Sequence, residues 1–461
     1  MGIQDFLVTP LYIIFIYLIA FFFRRKFSNV ITRNYYFTAL HFKVIGAIFV
    51  GIIYKIVYKG EGDTYLYYQL GGFLARSFYE QGIVTAYRVL TTTIADVNLN
   101  DWGIVNYARF VEFFYMKDEP SYLIVRLAGI GHIFSFGTYS VIALFFACYS
   151  FIGSWAMFMA FYDLYPKMVG KMAISVFFLP SVFFWGSGLL KDSLTFGGVG
   201  MALCGFYFGI IKGRNRLANL SLMAIGVYTI FFIKLYILYC LIPSFAMWLY
   251  LHFGSRIKAR FIRILLTPFL IILVSVGGYF LVIRLTEKSD YSVDKIANKA
   301  QVTSNYLRRI SNEGGSYYLG EFDGTITGLL KYFPQAVAVS LFRPFIWEAG
   351  FNPVRQLAAF EASFFIYITF FLFRNVSLKK IAQTIYKEPL VLVGLAFAIT
   401  FSFAVGVTTA NFGSLVRYKI VMMPFYISSI FIILEINGVK KALFPFLEKR
   451  KSKTQVFGKM G

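Results

Sequence analysis

Four stretches of this sequence gather the polar side chains that handle protons or anions. In the first, Glu61-Gly62-Asp63-Thr64-Tyr65, glycines at 60 and 62 free the backbone and two carboxylates stand two residues apart. Such carboxylates serve as general base toward a hydroxyl or hold a divalent cation; a solvated loop start is the plainer alternative. The second, Trp185 to Ser193, combines helix-breaking Gly186 and Gly188 with Lys191 and Asp192. A helix starting near Asp192 beside a Lys suits a phosphate, and a hairpin with a Lys–Asp pair at its tip is the alternative. The third holds Arg343, Trp347 and Glu348 within six residues. There an Arg fork fits phosphate and a Trp face fits a sugar, unless the pair is only an interfacial belt. The fourth runs from Asn411 to Arg417, Tyr418 and Lys419.

The chain that must position these clusters is not built for water. Of its 461 residues, 58% are hydrophobic and only 15% charged, against roughly 25% charged in a soluble domain. Apolar runs near 20 residues long, enough to cross a bilayer, recur throughout. A soluble enzyme, a nucleic-acid module and a disordered chain are excluded. The net charge of +23 is the Lys and Arg excess of cytoplasmic loops, and no nucleic-acid partner is expected. Cys148, Cys204 and Cys240 sit inside apolar runs, and His41, His132 and His252 are isolated, so neither residue type forms a ligand pattern.

The reading is an all-α integral membrane protein, a polytopic bundle of about eleven transmembrane helices. Spans are expected near 7–23, 36–58, 137–163, 171–187, 194–212, 217–234, 237–253, 264–283, 357–374, 389–408 and 419–435. The basic cluster Arg24, Arg25, Lys26 and Arg33 places the N-terminus outside, by the positive-inside rule. Residues 59–136 and 284–356 then form two large extracytoplasmic loops, and 436–461 is a basic cytoplasmic tail. The first loop is expected to carry helices lying on the interface, and 325–342 a re-entrant segment. All 461 residues read as one domain without internal repeats. Lys234, Lys43 and Lys55 are the cations expected at membrane depth.

On this topology all four clusters face outward, and the cationic triplet at 417–419 breaks the positive-inside trend. The acidic residues after the second span, FWGSGLLKDSL (184–194), FRPFIWE (342–348) and NFGSLVRYK (411–419) resemble the GT-C superfamily of membrane glycosyltransferases, of the bacterial cell-surface polysaccharide type. The resemblance covers the layout of most of the chain and the motifs of those short stretches. It implies an enzyme of the bacterial cytoplasmic (inner) membrane that moves a sugar from a polyprenyl-phosphate donor to a glycan, lipid or protein acceptor outside the cytoplasm. By resemblance Asp63 is the catalytic acidic residue, with Glu61 beside it; these two would also hold a divalent cation if one is used. Lys191, Arg343 and Arg417 would hold the donor phosphate, and Tyr65, Trp347, Glu348 and Asn411 would contact sugar or acceptor. An O-antigen-polymerase-like or ligase-like protein, a lipid-sugar flippase and a scaffold subunit are the competing readings.

Overall fold

The computed structural model describes residues 2–91, 118–254, 301–302, 305, 315–320 and 326–439. It is about 84% helical, and among the described residues there is no strand, only an isolated bridge between Ser316 and Asn411. Among the described residues, eight helices of 18 residues or more are apolar enough to cross a membrane, or nine if Phe412–Val421 and Met423–Ile436 make one bent span. That is the pattern of a multi-pass membrane protein. The expected span at 264–283 and the basic tail from 440 onward lie outside the described residues, as do most of the amphipathic stretch at 293–310 and part of the first loop, 92–117.

The expected span at 171–187 is instead two short helices, Val169–Phe177 and Pro180–Trp185. Pro180 has no N–H to continue a helix and holds the residue before it extended; Leu179 accordingly sits at φ −70°, ψ 126°.

By contact density the chain divides into two units. The first comprises residues 1–242 with Val416–Val421. Its helices are α1 (Ile3–Phe27), α2 (Arg33–Ile56), α3 (Asp63–Gln81), α4 (Ile83–Thr91), α5 (Glu119–Ser135) and α6 (Tyr139–Leu164). The broken pair above supplies α7 and α8. Then come α9 (Lys191–Gly205), which continues as a π-turn to Ile211, α10 (Arg216–Ile233), and α11 (Tyr236–Gly254), which leaves the unit at Ile242. Without a hydrophobic drive between helices in lipid, close packing needs small residues. A Cβ on Gly153 of α6 would lie 1.9 Å from the carbonyl oxygen of Gly197 in α9, and one on Gly226 of α10 would lie 2.4 Å from that of Gly198. Helices α3 and α5 pack the same way, Gly71 against Ala128 and Gly129. Lys43, deep in α2, donates to the carbonyls of Gly186 (2.8 Å) and Val182 and to Ser150. It thereby adds a charged donor to the carbonyls at the end of α8.

The second unit holds α12 (Ile326–Lys331), α13 (Phe333–Phe342), α14 (Pro353–Asn375), α15 (Leu378–Lys387), α16 (Pro389–Thr408), the start of α17 (Phe412–Tyr418) and α18 (Met423–Ile436). Here α13 meets α16 where Gly406 admits the backbone of Ala336, and α16 meets α18 through Phe397 and Phe425, ring centroids 4.8 Å apart.

Candidate functional site

The first unit folds so that three helix starts and one inserted segment converge. Gly62 precedes α3 at φ +101°, and a Cβ there would lie 2.7 Å from Cε1 of Tyr54. Only glycine meets both conditions without strain, so α3 begins at the next residue, Asp63. Asp118 caps α5: its carboxylate accepts from Ser121 N (3.1 Å) and Ser121 Oγ (2.6 Å), with Pro120 in the first turn. This is the ordinary chemistry of an N-cap. The turn at 186–190 ends in an extended Leu190, and Ser193 Oγ bonds back to the Gly188 carbonyl at 2.6 Å. Asp192 therefore falls in the first turn of α9, where the helix dipole favours negative charge. Val416–Val421 brings Arg417 and Tyr418 into the same unit.

These elements surround a cavity of about 160 Å³, far larger than a single water needs. At its base Asp192 accepts from Lys234 Nζ through Oδ1 (2.5 Å) and from Arg417 Nε (3.1 Å) and Nη2 (3.0 Å) through Oδ2. The Asp192 side chain is 1% exposed, Lys234 8% and Arg417 15%. Lys234 Nζ also lies 3.9 Å from the centroid of the Tyr418 ring. The remaining Arg417 nitrogen, Nη1, pairs with Asp63 Oδ2 at 2.9 Å and donates to the Tyr54 hydroxyl at 3.3 Å. On the rim Lys191 Nζ donates to Asp118 Oδ2 at 2.8 Å. Tyr67, Ser121 and Tyr418 complete the lining. Burial raises the Asp118 carboxyl, but Lys191 and the Ser121 hydrogen bonds outweigh it and hold the group below the usual carboxylate range.

Of the expected site residues, Asp63, Lys191 and Arg417 meet in this cavity. Glu61 is exposed and is not part of the lining. Tyr65 is buried, its ring stacked on Tyr139 and its hydroxyl donating to the Gly51 carbonyl at 3.2 Å; Tyr67, two residues on, lines the cavity instead. A Lys191–Asp192 pair does not form: Lys191 turns to Asp118, and Asp192 takes Lys234 and Arg417. The start of α9, expected to await a phosphate, is thus served by the chain's own carboxylate.

The other expected residues belong to the second unit. Arg343 is ion-paired to Glu348, with Nε to Oε2 at 3.0 Å, and its guanidinium lies near the rings of Tyr317, Phe345 and Phe412. Trp347 is exposed and stacked on Phe345. The Asn411 carboxamide oxygen accepts from the backbone of Gly413 and Ser414 at the start of α17.

Asp118 and Ser121 are cavity residues that the motif pattern did not single out, while Asp192 and Lys234 were named in the sequence without a site role. For Asp118 a signal existed, since Asp-Glu-Pro-Ser is a helix-start signature. Lys234 stood out as a cation between two apolar runs, and intramembrane cations mark sites by default. The pairing of Asp192 carried no local signal, because its partners lie 42 and 225 residues away. Among the described residues no group of three His, Cys, Asp or Glu is placed to hold a metal ion. No protein-family model, curated protein or solved structure matches this chain.

Proposed function

We propose that this protein is an integral membrane glycosyltransferase that moves a sugar from a polyprenyl-phosphate donor to a glycan, lipid or protein acceptor outside the cytoplasm. The observation that carries the reading is the cavity in which Asp63 meets Lys191, Lys234 and Arg417 beside apolar helices. Glycosyl transfer from a lipid phosphate needs those parts. The acceptor hydroxyl gives its proton to Asp63 as its oxygen bonds to the anomeric carbon. The bond from that carbon to the phosphate oxygen breaks, and the leaving phosphate takes the electron pair. Lys191 and Arg417 Nη1 stabilise the charge it gains, as fixed cations in a partly dry cavity do. Asp192 stays between Lys234 and Arg417 and sets their positions. Glu61 and Arg343 keep only the roles the GT-C resemblance lends them, and Tyr65, Trp347, Glu348 and Asn411 only those their residue types suggest.

The topology proposed with it has about eleven crossings, an outside N-terminus, the loops 59–136 and 284–356 outside, and the bacterial inner membrane as the location. The short turn at Lys234, between α10 and α11, then faces outward with Asp63, Lys191 and Arg417. A polymerase- or ligase-like protein acting on the same lipid-linked sugars is the second reading, favoured by the Arg417 guanidinium at the cavity base. Incubation of purified protein with a panel of polyprenyl-phosphate sugars tests the proposal. Release of polyprenyl phosphate with transfer of the sugar supports it, whereas no release from any member contradicts it.

A further inference from the structure

The geometry points to an anionic phospholipid held at the end of the α1–α2 hairpin, its phosphate on Arg24 and Arg33 and its acyl chains along α1. This site lies outside the cavity and needs no transfer reaction. The turn between the two helices is closed by its own groups. The Asn29 carboxamide oxygen accepts from the backbone of Ile31 and Thr32 and from the Thr32 hydroxyl, and Trp155 Nε1 of α6 donates to the Phe27 carbonyl at 2.9 Å. The unmet need lies in the arginine side chains. Arg24, in the last turn of α1, donates from Nη2 to the Arg33 carbonyl at 3.2 Å, and its guanidinium lies 4.9 Å from the centroid of the Phe37 ring in α2. Both arginines are half-buried, and the Nε of each is buried without a hydrogen-bond partner. Among the described residues neither pairs with a carboxylate.

The surroundings add positive charge. Arg25 and Lys26 follow Arg24 in the last turn of α1. A Cβ on Gly170 of α7 would lie 3.5 Å from the Tyr35 hydroxyl of α2, which brings Lys167 and Lys171 to the same end. The carboxylate near the end of α6, Asp163, is already taken by Lys212 at 3.2 Å, by Arg214 and by the Tyr207 hydroxyl. A buried N–H without an acceptor is costly and calls for one, and cations gathered at a helix end in a membrane attract anionic lipid. A phosphodiester carries one negative charge and two unesterified oxygens, one for each guanidinium, in the geometry an Arg fork fits. Helix α1 supplies the lipid source. It is long and apolar enough to span, yet within it only Thr9 and Ala20 are buried. Phe21, Phe22, Phe23 and Phe27, on either side of Arg24 in sequence, are all exposed, and Phe23 stacks on Phe27 with centroids 5.9 Å apart. A free phosphate would use the arginines alone, whereas a phospholipid also covers this aromatic surface.

The test titrates delipidated full-length protein in detergent with phosphatidylglycerol or phosphatidylcholine and reads bound lipid by native mass spectrometry. Both lipids carry a phosphodiester, but choline brings a cation into a cluster of cations, so the first phosphatidylglycerol should bind at least about tenfold tighter. Arg24→Gln and Arg33→Gln should each weaken that first lipid about tenfold. Arg24→Lys combined with Arg33→Lys keeps the charge but removes both Nε donors, and should weaken it nearly as much. Lys379→Gln combined with Lys380→Gln, at exposed positions of α15, should leave it unchanged. Equal affinity for the two lipids overturns the inference, and this comparison needs no variant to fold. A double Lys variant that binds like wild type, or an α15 variant that loses the lipid as Arg24→Gln does, reduces the effect to general attraction and overturns it too. Inorganic phosphate that displaces the lipid at equal concentration would overturn the lipid source. Sugar transfer can persist or fail without altering any of these outcomes.

Discussion

Replacing Asp192 by Asn removes one charge at the base of the cavity while keeping the side chain's shape. The carboxylate receives three donors, one from Lys234 and two from Arg417. An amide offers a single acceptor oxygen, so at least one cation must then face an NH2 group. Lys234 is buried and Arg417 largely so, with side chains 8% and 15% exposed, and Asp63, itself half-exposed, reaches only Arg417. Removing the shared partner of buried charges costs about 3–5 kcal/mol, or roughly two to three and a half orders of magnitude in the folding equilibrium. Asp63→Asn and Asp118→Asn, at half-exposed positions, should cost no more than about 1 kcal/mol. The assay is denaturant unfolding of purified protein in mixed micelles, followed by tryptophan fluorescence; Trp185 lies 5.7 Å from the Arg417 guanidinium and reports locally. Adding Lys234→Met to Asp192→Asn should recover part of the loss, because one stranded cation is gone. If Asp192→Asn is as stable as Asp63→Asn, the buried triad does not hold this site together.

Arg417→Ala should weaken donor binding about ten- to a hundredfold, from a charge-assisted contact of about 1.5–3 kcal/mol. Arg417→Lys should recover only part of that, since the fork is lost, and isothermal titration reads both. Gly153→Leu should destabilise the protein strongly, because a Cβ there meets the Gly197 backbone at 1.9 Å; a melt that matches wild type would contradict the close α6–α9 contact. The Asp118 pH dependence has a definite sign. A carboxyl whose folded pKa lies below its usual 3.8 adds stability that is fully present above that value and is lost as pH falls through the lower folded one. Stability profiles of wild type and Asp118→Asn should therefore run parallel above about pH 5 and converge only in stronger acid.

The all-α class and most of the long helices among the described residues were legible because their apolar runs are long and many are bounded by charge. Pro180 also announced a break, yet the apolar residues on both sides of it outweighed that signal and suggested one span at 171–187. Asp63, Lys191 and Arg417 were legible as charges at helix ends, where glycines or a reversed charge bias mark the position. Their pairings were not. The sequence-neighbour pair Lys191–Asp192 is the obvious local reading, but helix geometry points adjacent side chains about 100° apart. Partners for Asp192 come from chain segments that only tertiary packing brings close. Tyr65 and Tyr67 show the same limit, since neither side chain reveals from sequence alone which face of α3 turns to the cavity.

The most direct measurement compares Asp63→Asn with the wild-type protein for sugar transfer and for donor binding. A proton-accepting Asp63 requires transfer to fall about a hundredfold or more, with donor affinity nearly unchanged and the fold intact. Glu61→Gln, outside the cavity lining, should transfer close to the wild-type rate. A folded Asp63→Asn protein that transfers sugar at the wild-type rate would contradict the carboxylate's role and move the arginine-dependent, polymerase-like reading into first place.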